Sequence, residues 1–185
     1  MQNSAKKPVA IITGASRGVG AATALLLASK GWNVTITCSS TIKEAKEVAK
    51  SCEAYDVEAL AIQADVSDDT DCKNTIDQTV KKWGRIDALI NNAGTTKFAW
   101  DHSNLDLLDA EDFQKVYGVN LIGPFQMIKA SKEFLMKSDN PSITNVSSIA
   151  GIKGIGSSIA YAASKGALNT MTISMARNLG PIRVN

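Results

Sequence analysis

The sequence predicts an α/β fold, a doubly wound parallel sheet arranged in three layers, α/β/α. Short segments rich in apolar residues, the first of them a continuous apolar run at 9–12, alternate with longer segments in which apolar residues recur with the period of a helix. No hairpin signal such as Asn-Gly separates the first four apolar runs. Strands that alternate with helices in this way form a parallel sheet with helices on both faces.

The predicted strands are short runs rich in apolar residues, which is typical of strands buried on both faces. They cover residues 9–13, 33–38, 57–63, 86–90, 142–146 and the start of a sixth strand at 182–184. The helical patterns cover residues 21–30, 41–52, 68–83, 109–137 and 158–179. Residues 95–108 and the glycine-rich segment after residue 146 are predicted as loops, and the second loop could move over a ligand.

Several residues mark the expected ends and irregularities of these helices. Ser67 is the expected N-cap of the third helix, because Asp residues fill the first turn after it, and Gly84 should stop that helix. Asp109 is the expected N-cap of the fourth helix. Gly123-Pro124 should kink this helix, since proline lacks the helical N–H and clashes with the preceding turn.

A glycine-rich turn, GASRGVG, joins the first predicted strand to the first helix at residues 14–20. Glycines allow the backbone to approach a pyrophosphate closely, and the helix N-terminus offers free N–H groups and a positive dipole. The spacing is GxxxGxG rather than the commoner GxGxxG. In its strand–turn–helix context, this turn predicts a phosphate-binding site.

Small or polar residues follow four of the predicted strands: Thr13-Gly14, Cys38-Ser39, Asp65-Val66 and Asn91. Right-handed crossovers place the carboxyl ends of parallel strands along one edge of the sheet, where α/β folds bind their ligands. We therefore expect these residues to line one ligand-binding cleft.

The composition argues against several classes of protein. The 185 residues carry a net charge of +2 with acids and bases interspersed, which indicates neither a nucleic-acid partner nor a membrane surface. The polar N-terminal segment lacks the apolar core of a secretory signal, and no apolar run could span a bilayer. Three cysteines without CxxC spacing suit a reducing compartment, so the expected location is cytoplasmic. The single histidine, His102, argues against a zinc site and against a Ser-His-Asp hydrolase.

Tyr161 and Lys165 stand four residues apart in the last predicted helix, so their side chains share one face. A nearby cation favours the phenolate form of a tyrosine, which can then give or take a proton near neutral pH. Ser148 lies thirteen residues before Tyr161, just after a predicted strand. Taken alone, the pair could also be a surface Tyr and Lys, and Asn120 could be a structural residue beside the expected kink.

The motifs occur together in a recognisable order: Thr13-Gly14-Ala15-Ser16-Arg17-Gly18-Val19-Gly20, Asp65-Val66, Asn91-Asn92-Ala93-Gly94, Asn120, Ser148 and Tyr161-Ala162-Ala163-Ser164-Lys165. In order and approximate spacing they resemble the classical short-chain dehydrogenases/reductases, especially the 3-oxoacyl-[acyl-carrier-protein] reductase branch. The resemblance extends from about residue 9 to the last residue. It implies a Rossmann-like sheet and an NAD(P)-dependent oxidoreductase.

The resemblance implies four catalytic residues. Tyr161 would protonate the carbonyl oxygen of the substrate, or act as the base in the reverse direction. Lys165 would favour the ionised form of Tyr161 and bond the nicotinamide ribose. Ser148, rather than Ser147, would hydrogen-bond the substrate oxygen, and Asn120 would anchor a water in a proton relay to Lys165, through its disturbed backbone.

The resemblance also implies which residues bind the cofactor. Glycines of the turn would line the pyrophosphate, residues after the third strand would bracket the adenine, and residues after the fourth strand would flank the ribose and nicotinamide. The full set is Gly14, Ser16, Arg17, Gly18, Val19, Gly20, Ser39, Asp65, Val66, Asn91, Ala93, Gly94, Tyr161 and Lys165. No metal is implied.

Charge predicts the choice of cofactor. NAD-preferring Rossmann proteins place an acid at the end of the second strand, where it bonds the ribose 2′-OH. Here Cys38, Ser39 and Ser40 occupy that position, so the sequence offers no carboxylate there to repel a 2′-phosphate. Arg17 adds a cation nearby and Ser39 a hydroxyl donor. We therefore expect a preference for NADP(H), with NAD(H) possible.

One domain, residues 1–185, is expected to hold both the cofactor and the catalytic sites. The resemblance implies that the substrate-covering segment and the last strand are missing from this chain, and that the protein is a homo-oligomer, a tetramer or a dimer. The expected function is NADPH-dependent reduction of a small-molecule carbonyl, with a 3-oxoacyl thioester as the best substrate. The alternatives are an alcohol, steroid or sugar dehydrogenase of the same family and a non-catalytic nucleotide-binding relative.

Overall fold

The computed structural model describes residues 7–185, so the polar N-terminal segment lies almost entirely outside the described residues. Within them, six strands form one sheet in which every pair of neighbours is parallel. The strands are β1 (Val9–Ile12), β2 (Asn33–Cys38), β3 (Ala59–Gln63), β4 (Ala88–Asn91), β5 (Ser142–Asn145) and β6 (Arg183–Val184). Their order is β3-β2-β1-β4-β5-β6, which confirms the predicted Rossmann-like sheet. The order reverses between β1 and β4, and ligands of open α/β sheets bind at such a reversal.

Helices cover both faces of the sheet, as predicted. They are α1 (Gly18–Ser29), α2 (Ile42–Glu53), α3 (Asp69–Trp83), α4 (Ala110–Tyr117), α5 (Gly123–Leu135), α6 (Ala150–Lys153) and α7 (Ile159–Asn178). A 3₁₀ turn, Leu105–Leu107, interrupts the loop before α4. One hydrophobic cluster joins the sheet to α1 and α2, and a second joins it to α3, α5 and α7.

The two faces of the sheet are packed by side chains of different size. On the α1–α2 face, the helices contribute small buried residues such as Ala24, Ala28 and Ala45. On the opposite face, α3 and α5 contribute Ile76 and Met127 among other large residues. Since β1 and β2 are fully buried, both faces of these central strands exclude water, which explains the continuous apolar sequence of β1.

The N-cap of α3 is Asp68 and not Ser67, so that prediction is wrong. The Asp68 carboxylate accepts a hydrogen bond from the N–H of Thr70 at 2.7 Å. Ser67 instead donates its N–H and its hydroxyl to Asp65 Oδ1. The end of α3 is as predicted: Gly84 has a φ of 75° and caps the helix in the left-handed conformation.

The long helix predicted at 109–137 is divided at a different place from the one expected. Asp109 caps α4 through a closed capping box with Asp112, as the sequence indicates. The irregularity is a π-helical turn, Gly118–Ile122, which precedes Gly123. A Cβ on Gly123 would lie 2.7 Å from Val66 Cγ2, so close contact with the loop after β3 requires glycine there. Pro124 then sits in the first turn of α5, where proline is tolerated.

The glycine-rich segment after β5 is not a simple loop, because it contains the short helix α6. This helix packs against α7 at Gly151, where a Cβ would lie 2.6 Å from both Gly166 N and Lys165 C. Gly154 ends α6 with a φ of 67°. The glycines therefore allow α6 to lie against the helix that carries Tyr161 and Lys165.

A buried carboxylate ties together the amino-terminal ends of the strands. Asp87 is 3% exposed and accepts hydrogen bonds from Val9 N, from Ser138 Oγ and from two nitrogens of Arg85. It thereby connects β1, β4 and the end of α5. This cluster lies at the opposite edge of the sheet from the predicted cleft, so its role is structural.

Candidate active site

A cavity of about 440 Å³ lies at the carboxyl ends of β1–β4, where the sequence predicts a cleft. Eight of the predicted cofactor-binding residues line it: Gly14, Ser16, Arg17, Ser39, Asp65, Val66, Ala93 and Gly94. They come from the turns after four different strands. The order of the strands explains this convergence, because parallel strands end at the same edge.

The glycine-rich turn has the backbone shape that a phosphate-binding turn requires. Gly14 and Gly18 have φ values of 62° and 58°, which other residues rarely adopt. A Cβ on Gly14 would lie 2.8 Å from Ala93 Cα, whereas one on Gly18 would meet nothing within 4 Å. Helix α1 begins at Gly18, so its first N–H groups point to the turn. The turn and the cavity beside it fit a dinucleotide cofactor, and its pyrophosphate would lie at the start of α1.

The structure brings four of the predicted cofactor residues near the cavity but not into its lining. Gly18 and Val19 lie at the start of α1, and Val19 is 66% exposed. A Cβ on Gly20 would lie 2.5 Å from Asn92 Nδ2, so this glycine allows close packing of α1. Asn91 is buried and donates to Asn145 Oδ1 at 2.9 Å, between β4 and β5. Its own Oδ1 has no hydrogen-bond partner among residues 7–185.

Two residues outside the predicted site set, Asn92 and Thr13, fix the shape of the turn. Asn92 Nδ2 donates to the carbonyl oxygens of Thr13 and Gly14, both at 2.9 Å. Thr13 Oγ1 accepts from the N–H groups of Asn92 and Ala93, both at 3.0 Å. Asn92 lies within the predicted Asn-Asn-Ala-Gly motif, but only the direction of its side chain reveals this role.

The cavity also contains two charged side chains that the sequence analysis missed, Glu44 and Lys115. Glu44 comes from the first turn of α2, and its carboxylate faces the end of β2. Burial raises the pKa of the Cys38 thiol, and the nearby Glu44 carboxylate raises it further. The expectation that no carboxylate lies near this end of the cleft is therefore wrong. The helical phase of α2 brings Glu44 into the cavity, and no cofactor-binding motif in the sequence includes this residue.

A second cavity, of about 560 Å³, contains Tyr161 and Lys165. Asn92, Gly94 and Thr95 line both cavities, so the two form one continuous cleft. A Cβ on Gly94 would lie 3.7 Å from Lys165 Nζ and 3.5 Å from Asn120 Oδ1. The residues predicted to bind the cofactor and those predicted to be catalytic therefore meet at Gly94.

Tyr161 and Lys165 are neighbours on α7, as their spacing predicts. Lys165 Nζ lies 5.9 Å from the centroid of the Tyr161 ring and donates to the carbonyl oxygen of Val146 at 2.7 Å. Burial lowers the pKa of Lys165 to about 8. At neutral pH the side chain is therefore mostly an ammonium, which loses its proton just above the physiological range. Lys165 is only 4% exposed, and it is among the residues that line the cleft.

The two serines after β5 have different partners. Ser147 Oγ donates to the carbonyl oxygen of Lys165 at 3.3 Å, and this residue lines the second cavity. Ser148 Oγ accepts from the N–H of Ala150 at 3.1 Å, at the start of α6. An acceptor contact leaves the Ser148 hydroxyl proton able to donate to another group. Ser147 uses its proton within the protein and Ser148 does not, but Ser148 is not among the residues that line the second cavity, so its role as a donor to a ligand stays a prediction.

Asn120 holds the loop after β4 against α7. Its Oδ1 accepts from Thr95 N at 2.8 Å, and its Nδ2 donates to Thr95 O at 2.9 Å and to Ser164 Oγ at 3.0 Å. These bonds use both protons of the Asn120 amide, and the predicted water-binding role of this residue rests on its backbone in the π-helical turn. That role stays a prediction.

An exposed aromatic pair, Phe98 and Trp100, lies at the mouth of the second cavity. Phe98 lines the cavity, and its ring centroid is 5.3 Å from that of Trp100. Ala99, between them, is buried and donates its N–H to Ser157 O at 2.7 Å. His102 Nε2 forms a further hydrogen bond with Gly156 O. The backbone of this segment is therefore tied to the loop before α7, and Phe98, stacked on Trp100, offers the cavity that contains Tyr161 an apolar wall.

Within residues 7–185, no group of three or more His, Cys, Asp and Glu side chains could hold a metal ion. No helix in that part of the chain is long and apolar enough to cross a membrane.

Comparison with known proteins agrees with this geometry. The sequence profile of the short chain dehydrogenases matches residues 8–185. The chain is 38% identical over 179 residues to a Streptomyces violaceoruber protein assigned as ketoacyl reductase 2 of the granaticin polyketide synthase, covering 96% of this chain and 70% of that protein. It is 36% identical over 171 residues to the 3-oxoacyl-[acyl-carrier-protein] reductase of Synechocystis sp., covering 92% of this chain and 68% of the relative.

Solved structures show the same likeness. A crystal structure assigned to the short-chain dehydrogenases/reductases, from Burkholderia xenovorans, superposes with a TM-score of 0.94 and 48% identity, covering 98% of this chain and 76% of that one. The structure of an NAD⁺-bound xylitol dehydrogenase superposes with a TM-score of 0.88 and 32% identity, covering 96% of this chain and 68% of that one. Given the match over residues 8–185, the parallel sheet and these relatives, the chain belongs to the short-chain dehydrogenase family of NAD(P)-binding oxidoreductases.

Proposed function

We propose that the protein reduces a carbonyl group to a hydroxyl with NADPH. The observation that supports this most directly is the continuous cleft, in which the dinucleotide end and the Tyr161–Lys165 end share Asn92, Gly94 and Thr95. When bound, the nicotinamide cofactor supplies the hydride for the carbonyl carbon.

Each of the proposed catalytic residues has a distinct task. The Tyr161 hydroxyl gives its proton to the carbonyl oxygen of the substrate, and the nearby ammonium of Lys165 stabilises the phenolate that remains. The Ser148 hydroxyl donates a hydrogen bond to the same oxygen, which gains negative charge during reduction. Asn120 bonds Thr95 and Ser164 and thereby holds the loop after β4, which lines the cleft, against α7.

A 3-oxoacyl thioester is the substrate class that we favour. The apolar wall formed by Phe98 and Trp100 suits the acyl part of such a substrate, which would bury these exposed rings. The relatives named as ketoacyl and 3-oxoacyl-[acyl-carrier-protein] reductases support the same choice. The direct test is NADPH consumption at 340 nm with acetoacetyl-CoA and a panel of ketones. Turnover of simple ketones or sugars in preference to the thioester would contradict this choice.

A second function, an NAD-dependent dehydrogenase acting on an alcohol, steroid or sugar, is supported by one observation in particular. Glu44 places a carboxylate in the cofactor cavity, and carboxylates near the ribose favour NAD. The NAD⁺-bound xylitol dehydrogenase structure is also similar to this chain. Oxidation of xylitol or other alcohols with NAD⁺, measured beside thioester reduction, separates the two functions.

Replacing Ser148 with alanine should lower kcat for reduction by about a hundredfold, because a donor to the developing oxyanion is lost. Ser147→Ala is the matched control. Since the Ser147 hydroxyl bonds to the Lys165 carbonyl, its loss should change kcat by no more than about threefold. Steady-state kinetics of both variants decide the assignment, and a larger loss in Ser147→Ala than in Ser148→Ala would reverse it.

Replacing Arg17 with glutamine should weaken NADPH binding by about tenfold, since a cation is lost near the 2′-phosphate. NADH binding should change by less than about threefold. Lys30→Gln, at the far end of α1 and exposed, is the matched control for removal of a positive charge. Fluorescence titration with both cofactors measures these effects, and an equal loss for NADH would show that Arg17 contacts another part of the cofactor.

We also propose that the protein is a single domain that assembles as a homodimer or homotetramer in the cytoplasm. The assembly is supported by an apolar groove of about 560 Å³ between the π-helical turn, α5 and α7, lined by residues that include Ile122, Phe125 and Met171. Ile122 and Phe125 are 47% and 48% exposed. The cytoplasmic location is supported by three buried cysteines that form no disulfide.

A further inference from the structure

The first turn of α2 contains a capping-box sequence whose bonds are not formed. Thr41-Ile42-Lys43-Glu44 has the Thr-x-x-Glu spacing, in which the threonine would bond the helix N–H groups and the glutamate would reach back to the N-cap. Thr41 is the N-cap of α2, but its side chain makes no capping bond. The N–H of Glu44 donates instead to the carbonyl oxygen of Thr41. The Glu44 carboxylate has no hydrogen-bond or ion-pair partner anywhere in the described chain.

The start of α4 shows that the same chain closes such a box elsewhere. Asp109 Oδ1 accepts from Asp112 N at 2.9 Å, and Asp112 Oδ2 accepts from Asp109 N at 3.4 Å. In α4 both carboxylates therefore serve the helix. In α2 the glutamate makes no bond to its own helix end and lines the cofactor cavity. The difference leaves Glu44 available to a ligand.

Glu44 also lies at the end of the cavity where the adenosine ribose would bind. It shares the cavity with Arg17 and Ser39, and it lies close enough to Cys38, the last residue of β2, to raise the pKa of that thiol together with burial. The other carboxylate of the cavity, Asp65, accepts two hydrogen bonds from Ser67 through Oδ1. Glu44 is therefore the carboxylate of this cavity without a partner among residues 7–185.

We propose that Glu44 is the residue that recognises the ribose 2′-OH of NAD(H) and limits the preference of this protein for NADP(H). The proposal rests on the proposed function, because it concerns the cofactor cleft of that enzyme. In a dinucleotide-binding fold this task belongs to an acid at the end of the second strand. Here that strand ends in Cys38, and the acid comes from the following helix.

The two charges at this end of the cavity act in opposite directions on the 2′ position. Arg17 attracts a 2′-phosphate, whereas Glu44 repels it and accepts a hydrogen bond from a 2′-OH. Wild-type protein should therefore bind NADH and NADPH with affinities that differ little. Neutralising Glu44 leaves Arg17 unopposed, so the affinity ratio should move towards NADPH by about tenfold.

Calorimetric titration of the full chain with NADPH, NADH, adenosine 2′,5′-bisphosphate and AMP tests the proposal. The two nucleotides isolate the 2′-phosphate from the nicotinamide. The variant is Glu44→Gln, and the matched control is Glu47→Gln, one turn further along α2 and exposed. We expect Glu44→Gln to bind the bisphosphate about tenfold more tightly and AMP somewhat less tightly, whereas Glu47→Gln changes neither by more than about twofold.

The outcomes distinguish this proposal from the proposed function. If the ratio of NADPH affinity to NADH affinity is the same in Glu44→Gln and Glu47→Gln, Glu44 does not have the proposed role. This holds even if wild-type protein reduces thioesters with NADPH. A shift of the ratio in Glu44→Gln supports the role, even if wild-type protein prefers NADH and the NADPH assignment fails. Wild-type protein that binds none of the four ligands contradicts both.

Discussion

Replacing Tyr161 with phenylalanine is expected to lower kcat for carbonyl reduction by about a thousandfold, because the substrate oxygen loses its proton donor. The phenyl ring keeps the volume of the side chain, so Lys165 and the helix around it should stay in place. NADPH should therefore bind within about twofold of its wild-type affinity. Stopped-flow or steady-state measurement of NADPH oxidation, together with a binding titration, checks both parts.

The matched control for this variant is Tyr55→Phe. Tyr55 is 49% exposed in the turn between α2 and β3, and it lines neither of the two cavities described above. Its replacement removes a phenol hydroxyl without touching the cleft, so kcat should stay unchanged. If Tyr161→Phe retained more than about a tenth of wild-type turnover, Tyr161 could not be the proton donor.

Replacing Asp87 with asparagine is expected to lower the free energy of unfolding by about 2–3 kcal/mol, because the change removes a buried charge that Arg85, Ser138 and Val9 N all contact. The variant would weaken the contacts that join β1, β4 and the end of α5, which lie far from the cleft. Urea unfolding followed by circular dichroism measures it. Asp77→Asn, on the exposed side of α3, should change the unfolding free energy by less than about 0.5 kcal/mol.

The stabilisation that Asp87 gives to the folded state should decrease as the pH falls. Burial raises the pKa of the Asp87 carboxyl, but the hydrogen bonds from Arg85, Ser138 and Val9 N outweigh burial and lower the pKa below its ordinary value. The folded state therefore binds this proton more weakly than the unfolded state does. The difference in stability between wild type and Asp87→Asn should be complete above about pH 4 and shrink as the pH falls below it. A difference that grew on acidification would contradict this assignment.

The order of strands and helices was predictable from sequence because its signals are local. An apolar run such as Val9–Ile12 is buried wherever it forms a strand, and the glycines of residues 14–20 fix a turn by their own backbone freedom. The same holds for Asp109, whose capping box needs only residues within one turn. The N-cap of α3 was predicted wrongly because Ser67 and Asp68 are both suitable N-cap residues. Ser67 bonds to the neighbouring Asp65 instead, and Asp68 caps the helix.

Much of the candidate site was also predictable, since its motifs are short and their order is specific. Eight of the predicted cofactor residues line one cavity, and Tyr161 and Lys165 lie in the cavity that joins it. Their roles, and that of Ser148, stay predictions until the variants are measured. The place of the π-helical turn was not predictable, because the contact of Gly123 with Val66 joins elements far apart in sequence.

The sequence by itself determined the sheet, the glycine-rich turn and the placing of Tyr161 and Lys165 on one helix face, because strand burial, turn geometry and helical spacing act over a few neighbours. Only the tertiary structure decided which charges share the cleft. Asn92 lies within a predicted motif and Glu44 a few residues after another, but the course of the turn after β4 and the phase of α2 determine where their side chains lie. Arg17 and Glu44, on which we propose that the choice of cofactor depends, share the cavity because α1 and α2 begin at the same edge of the sheet.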